Sequence, residues 1–90
     1  MRFVGHNEIA AFLARWPGYG PPVRAWVFEV KHRHWDSAAA LEADFGHVDI
    51  SALPIVIFHL QPITLRINTV IDFRRGIVLL TAIKQIALAA

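Results

Sequence analysis

The chain has no cysteine, and charged residues make up only 18% of its 90 residues. Without cysteine, it cannot be a small secreted domain held together by disulfides. No apolar stretch approaches the roughly 20 residues that a membrane-spanning helix requires; the longest, 52–58 and 76–83, have the length of strands. Because polar residues from position 6 leave no room for the apolar region of an export signal, no such signal is expected, and we expect a cytoplasmic protein.

Apolar residues make up 56% of the chain, and its length supports one core, so we expect one domain over residues 1–90. The first 50 residues carry five basic and six acidic side chains, whereas residues 51–90 carry four basic and one acidic. The second half is therefore the candidate anion-binding half. From charge alone, however, we favour an ordinary solvated surface as the explanation.

Apolar residues at helical spacing predict two helices that form a hairpin. Asn7 can cap the first helix, whose apolar stripe is Ile9, Phe12, Leu13 and Trp16. Pro22 suits the first position of the second helix, whose stripe is Val23, Trp26, Val27 and Val30. A short third helix is predicted over 38–44, capped by Asp36 or Ser37, with Gly46 left-handed after its end.

From residue 55 onward the apolar period changes from 3.6 to 2, which predicts strands. The predicted fold is α+β, with a helical hairpin and a short helix packed on one face of an antiparallel sheet; residues 2–4 can add a strand. Neighbouring strands must place apolar side chains on the same face, which predicts their register. A loop over 74–76, with left-handed Gly76, gives the pairs Phe73–Ile77, Ile71–Leu79 and Ile67–Ile83. A loop over 61–64 gives the pairs Leu60–Leu65, Phe58–Ile67 and Val56–Thr69.

The same register places three basic residues in one row across the exposed face, which we call the basic row: His59, Arg66 and Lys84. An imidazole beside two fixed cations can bind a phosphodiester and move a proton at it. Cleavage of RNA by its own 2′-hydroxyl needs a base, an acid and a cation, and the row offers no second clear acid or base. Basic residues on an exposed sheet face also serve solubility, so both interpretations stay open.

A second basic cluster, Lys31, His32, Arg33 and His34, precedes Trp35 at the predicted end of the second helix. Such a cluster can stack on a base or bind phosphate. We favour the other interpretation, in which the helix dipole alone explains positive charge at this end. His32 and His34 do not share a helix face, so no metal site is predicted, and nucleotide-binding glycine motifs that would indicate a cofactor are absent.

Short motifs at consistent spacing carry a family resemblance over residues 1–84. They are Arg24-Ala25-Trp26, Glu29-Val30-Lys31, Trp35, Ala43-Asp44-Phe45, Asp49-Ile50, Phe58, Leu65-Arg66 and Gly76-Ile77-Val78. In these motifs the chain resembles the HigB-type toxins of bacterial type II toxin–antitoxin pairs, which have a RelE-like fold. The resemblance implies a ribosome-dependent mRNA endoribonuclease that inhibits translation. It also implies a partner antitoxin, usually a helix-turn-helix DNA-binding protein.

The chain departs from that family in two places. Pro62-Ile63 stand where the family usually has Gly-Asn, and residues 85–90 replace a Thr-His-x-x-Tyr-Asp motif whose side chains lie near the scissile phosphate. We therefore expect Arg66 to contact the phosphate and His59 to replace the lost imidazole. Further RNA contacts are expected from Lys31, Arg74, Arg75 and Lys84. The apolar tail favours an alternative: a catalytically degenerate toxin-fold protein that binds an antitoxin or another protein.

Overall fold

The computed structural model describes residues 1–61 and 64–86. Within them the elements are β1 (Arg2–Val4), α1 (His6–Arg15), a 3-10 turn (Pro17–Tyr19), α2 (Gly20–His32), α3 (Ala38–Asp44), β2 (Val48–Ala52), β3 (Ile55–Leu60), β4 (Leu65–Asp72) and β5 (Ile77–Gln85). The strands form one sheet in the order β1-β5-β4-β3-β2. The three helices pack on this sheet, and the α+β prediction is confirmed.

The sheet is mixed and not antiparallel throughout, because β1 runs parallel to β5. β1 leads directly into α1 at Gly5, where φ is 137°. A Cβ at Gly5 would lie 2.5 Å from the Cβ of Leu80, so the close approach to β5 requires glycine. Gly5 is also the N-cap of α1, so the prediction of Asn7 as the cap is wrong.

Apolar stripes of the helices and one face of the sheet form the core. Trp16 does not belong to it, contrary to the prediction, because it follows the end of α1 and is 40% exposed. Trp26 of α2 lies edge-on to two rings, 5.7 Å from Phe3 and 5.2 Å from Phe58 between ring centroids. α2 begins at Gly20, two residues before Pro22, because the 3-10 turn leads directly into it. In α3, the Ser37 hydroxyl accepts a hydrogen bond from the Ala40 N–H, which confirms Ser37 as the cap.

Gly46 is not left-handed, contrary to the prediction. α3 ends at Asp44, and its C-cap Phe45 is extended, with a φ of −115°, so that the chain continues directly toward β2. An extended exit needs no left-handed residue. Gly76, by contrast, has the predicted left-handed φ, at 69°.

The predicted register of β3 with β4 is confirmed in all three core pairs, Leu60–Leu65, Phe58–Ile67 and Val56–Thr69. Between β4 and β5 the pair Ile67–Ile83 is confirmed, but Ile71 pairs with Val78 and not with Leu79. The turn spans residues 73–76, one more than predicted, so Phe73 does not pair with Ile77. An irregularity between Asn68 and Thr69 restores the predicted register beyond it, because β5 holds an extra residue there.

Candidate functional site

The basic row is present on the sheet face that points away from the core. His59 pairs with Arg66, and Arg66 pairs with Lys84. Arg66 and Lys84 are exposed, and His59 is half-buried. Pairs Leu60–Leu65 and Phe58–Ile67 flank the row and point to the other face, into or against the core. The alternation of β3 and β4 therefore fixes the direction of His59 and Arg66.

The row continues to His47, the residue before β2, a strand that the sequence analysis did not predict. The His59 N–H donates a hydrogen bond of 2.9 Å to the His47 carbonyl, which places His47 opposite His59. Both residues line a cleft of about 450 Å³ at this edge of the sheet, together with Glu42, Val48, Asp49, Ile50, Ser51 and Gln61. A second cleft of about 240 Å³ shares His47, His59 and Gln61 and adds Asp44.

Asp49 gives the cleft a fixed negative charge. Its carboxylate accepts hydrogen bonds from the Ser51 hydroxyl at 2.6 Å and the Ser51 N–H at 2.8 Å. These bonds, and then electrostatic interactions with His59 and Arg66, lower the pKa of Asp49 below its ordinary value. The row is therefore not a purely basic surface, because a carboxylate partly balances it.

The other predicted RNA contacts lie at the opposite end of the sheet. Arg74 and Arg75 are exposed in the β4–β5 turn, and Arg75 lies 3.7 Å from Asp72. From Arg66 to Asp72 the strand advances six residues, or roughly 20 Å. Lys31 is exposed in the last turn of α2, the end that leads to His34, and a Cβ at Gly76 would lie 3.9 Å from the His34 ring. The residues predicted to contact RNA therefore lie in two separate regions of the molecule.

The 31–35 cluster is largely neutralised within the chain. Arg33 forms an ion pair with Glu29 and lies 3.4 Å from Asp44, and His34 Nε2 lies 2.7 Å from Asp36. Trp35 is only 1% exposed, and its Nε1–H donates to Asp44 at 2.6 Å. Trp35 therefore cannot stack on a base from solution, which favours the helix-dipole interpretation.

Pro62, Ile63 and residues 87–90 of the apolar tail lie outside the described residues. Within the described part of the chain, no three His, Asp or Glu residues form a group that could hold a metal ion. None of the helices described is both long and apolar enough to cross a membrane. Comparison with known protein-family models gives no match, and comparison with curated proteins gives no significant match.

Proposed function

We propose that the protein is a RelE-like, HigB-type toxin of a type II toxin–antitoxin pair that cleaves mRNA on the ribosome in the cytoplasm. The observation that carries the proposal is the basic row beside the β2 cleft: an imidazole and two exposed cations on one sheet face, next to a space of about 450 Å³. The family resemblance in the sequence supplies the reaction class. An antitoxin, usually a helix-turn-helix DNA-binding protein, would neutralise the toxin.

In this proposal each row residue has one role in cleavage by the 2′-hydroxyl. Arg66 contacts the scissile phosphate and stabilises the charge that develops on it, and Lys84 extends that positive field. His59 accepts the proton of the 2′-hydroxyl. Arg74 and Arg75 contact RNA at a different phosphate, because β4 advances roughly 20 Å between Arg66 and the turn that holds them. Lys31, in the last turn of α2, is a further RNA contact.

The test is inducible expression of the chain, with growth and mRNA cleavage on translating ribosomes as readouts. We expect growth arrest and cleavage with the wild type, and neither with Arg66→Ala. Coexpression of the product of the adjacent small gene should restore growth and give a complex that co-purifies. If the folded wild type neither arrests growth nor cleaves mRNA, the enzymatic proposal is wrong.

A second candidate function, a toxin-fold protein that binds a partner without cutting RNA, is favoured by an apolar row on the same sheet face. Val4 pairs with Leu79, Leu79 with Val70, and Val70 with Ile55. Three of these side chains are substantially exposed, with Val4 at 39%, Leu79 at 41% and Ile55 at 44%. A co-purifying complex without any cleavage by the free protein would favour this function. Loss of that complex in Leu79→Ser would assign binding to the apolar row.

A further inference from the structure

His47 and His59 bring two imidazoles to one cleft. The His59 N–H bonds to the His47 carbonyl, and the neighbouring pair is Val48–Phe58, so His47 and His59 are directly opposed residues of an antiparallel pair. Side chains of opposed residues leave the same face, with Cβ atoms about 5 Å apart. Both residues line the cleft of about 450 Å³, and His47 is exposed.

Cleavage of RNA by its own 2′-hydroxyl requires a group that takes one proton and a second group that gives another. The basic row alone supplies only one imidazole. His47 supplies the second, within reach of the same phosphate that Arg66 would hold. We propose that His47 and His59 form an acid–base pair that supplies both proton transfers from the chain itself, so that the protein cleaves single-stranded RNA off the ribosome as well as on it. This inference rests on the proposed function, since it assumes that the cleft receives RNA.

The cleavage reaction needs no reactant other than the RNA and the two histidines. Neutral His59 takes the proton of the 2′-hydroxyl while the 2′-oxygen forms a bond to phosphorus. The bond from phosphorus to the 5′-oxygen breaks, and protonated His47 gives its proton to that oxygen. The products are a 2′,3′-cyclic phosphate and a 5′-hydroxyl, and the two imidazoles exchange protonation states.

The reaction therefore needs one imidazole neutral and the other protonated, which predicts a bell-shaped dependence of the rate on pH. Charged groups that share the clefts with the pair, or lie beside it in the row, set the position of that optimum; they are Glu42, Asp44, Asp49, Arg66 and Lys84. Replacing either histidine removes one limb of the bell. A histidine with a merely structural role would leave the shape of the profile unchanged.

The experiment uses a DNA oligonucleotide with a single internal ribonucleotide, incubated with the purified chain over a range of pH. Wild type should cut only at the ribonucleotide and leave the cyclic phosphate. His47→Asn and His59→Asn should each lower the rate about 100-fold or more, and the double variant should lower it little further, because the two groups act as a unit. His34→Asn is the matched control: its side chain is exposed and lies at the far end of the molecule, and its rate should equal that of wild type.

Two results would overturn the inference. In the first, His47→Asn cleaves the oligonucleotide at the wild-type rate and with the wild-type pH profile. In the second, the wild type cleaves mRNA on translating ribosomes but does not cleave the free oligonucleotide. Neither result contradicts the proposed function. If the folded wild type cleaves RNA neither on ribosomes nor as a free oligonucleotide, the inference and the proposed function are both wrong. Thermal unfolding checks each variant, and His47→Asn carries the test if His59→Asn fails to fold, because His47 is exposed. Restoration of His47→Ala by added imidazole would support the chemical role.

Discussion

Replacing Arg66 by alanine should weaken RNA binding and leave the fold almost unchanged. The Arg66 side chain is exposed, and within the described residues it forms no ion pair at 4 Å or less. Its cross-strand neighbour Lys84 carries the same charge, so the repulsion that its removal relieves offsets the attraction to Asp49 that is lost. Together these effects keep the change in unfolding free energy within about 0.5 kcal/mol. For a domain of this size, that corresponds to a shift of at most about 4 °C in Tm.

Binding should respond in a different way, because each phosphate contact releases counterions. The slope of log affinity against log salt concentration is about −0.7 per contact for a single strand. Arg66→Ala should therefore make the slope less negative by about 0.7, and Arg66→Ala with Lys84→Ala by about 1.4. Fluorescence anisotropy with a short single-stranded RNA at several salt concentrations measures both. Arg15→Ala, an exposed arginine on α1, should not change the slope.

An unchanged slope in Arg66→Ala would refute the reasoning, since it would mean that Arg66 touches no phosphate. A loss of about 2 kcal/mol or more of unfolding free energy would instead make Arg66 structural. If Arg66→Ala and Arg15→Ala reduced the salt dependence of RNA affinity equally, binding would depend on the net charge of the protein and not on a contact at Arg66.

Three further predictions concern the cleft and the fold. Asp49→Asn should tighten RNA binding, because it removes a negative charge near Arg66, and anisotropy measures this. Because the pKa of Asp49 is lowered in the folded protein, ionised Asp49 stabilises the fold above pH ~4, and this stabilisation is lost as pH falls through the lowered pKa. Asp49→Asn should therefore make the unfolding free energy less sensitive to acid. In chemical denaturation, Gly76→Ala should cost about 1 kcal/mol because φ is 69°, whereas Gly46→Ala should cost nothing, since its Cβ meets no atom within 4 Å. Thr69→Val should cost about 1 kcal/mol, because the buried Thr69 hydroxyl donates to the Val56 carbonyl at 2.8 Å.

The part of the site on β3 and β4 could be predicted because its alternation is uninterrupted. Residues 65–72 alternate between buried and more exposed positions without a break. Only one register with β3 buries both apolar sets, and it places His59 opposite Arg66. Between β4 and β5 the same reasoning succeeded near Arg66 and missed by one residue near the turn. A bulge adds a residue without changing which apolar residues are present, so the sequence pattern does not reveal it.

Neither β2 nor the cleft beside it was predicted from the sequence, and the physical reason is the same for both. β2 is a five-residue edge strand whose pairing shifts between Asp49 and Ala52, and Ser51 turns back to bond with Asp49. Its extended form depends on pairing with β3, which is a non-local interaction that local propensity does not report. The alternation of Val48 and Ile50, both half-buried, with exposed Asp49 was the available signal. A strand predicted from this alternation and paired with β3 places His47 and Asp49 beside the basic row.

The geometry of the site and the packing of the core depend on the same register. Phe58 and Ile67, and Leu60 and Leu65, meet on the core side of β3 and β4, and between them His59 and Arg66 meet on the outer side. A slip of one residue would turn His59 toward the core and Phe58 toward solvent, so any state that keeps the core also keeps the row. Lys84 shares this constraint through Ile67–Ile83, and His47 shares it through Val48–Phe58. The pairing of β2 shifts only beyond that point, between Asp49 and Ala52. Ile50 and Ser51 are therefore the part of the cleft that a partner, a bound strand of RNA or a substitution in β2 can change without unfolding the protein.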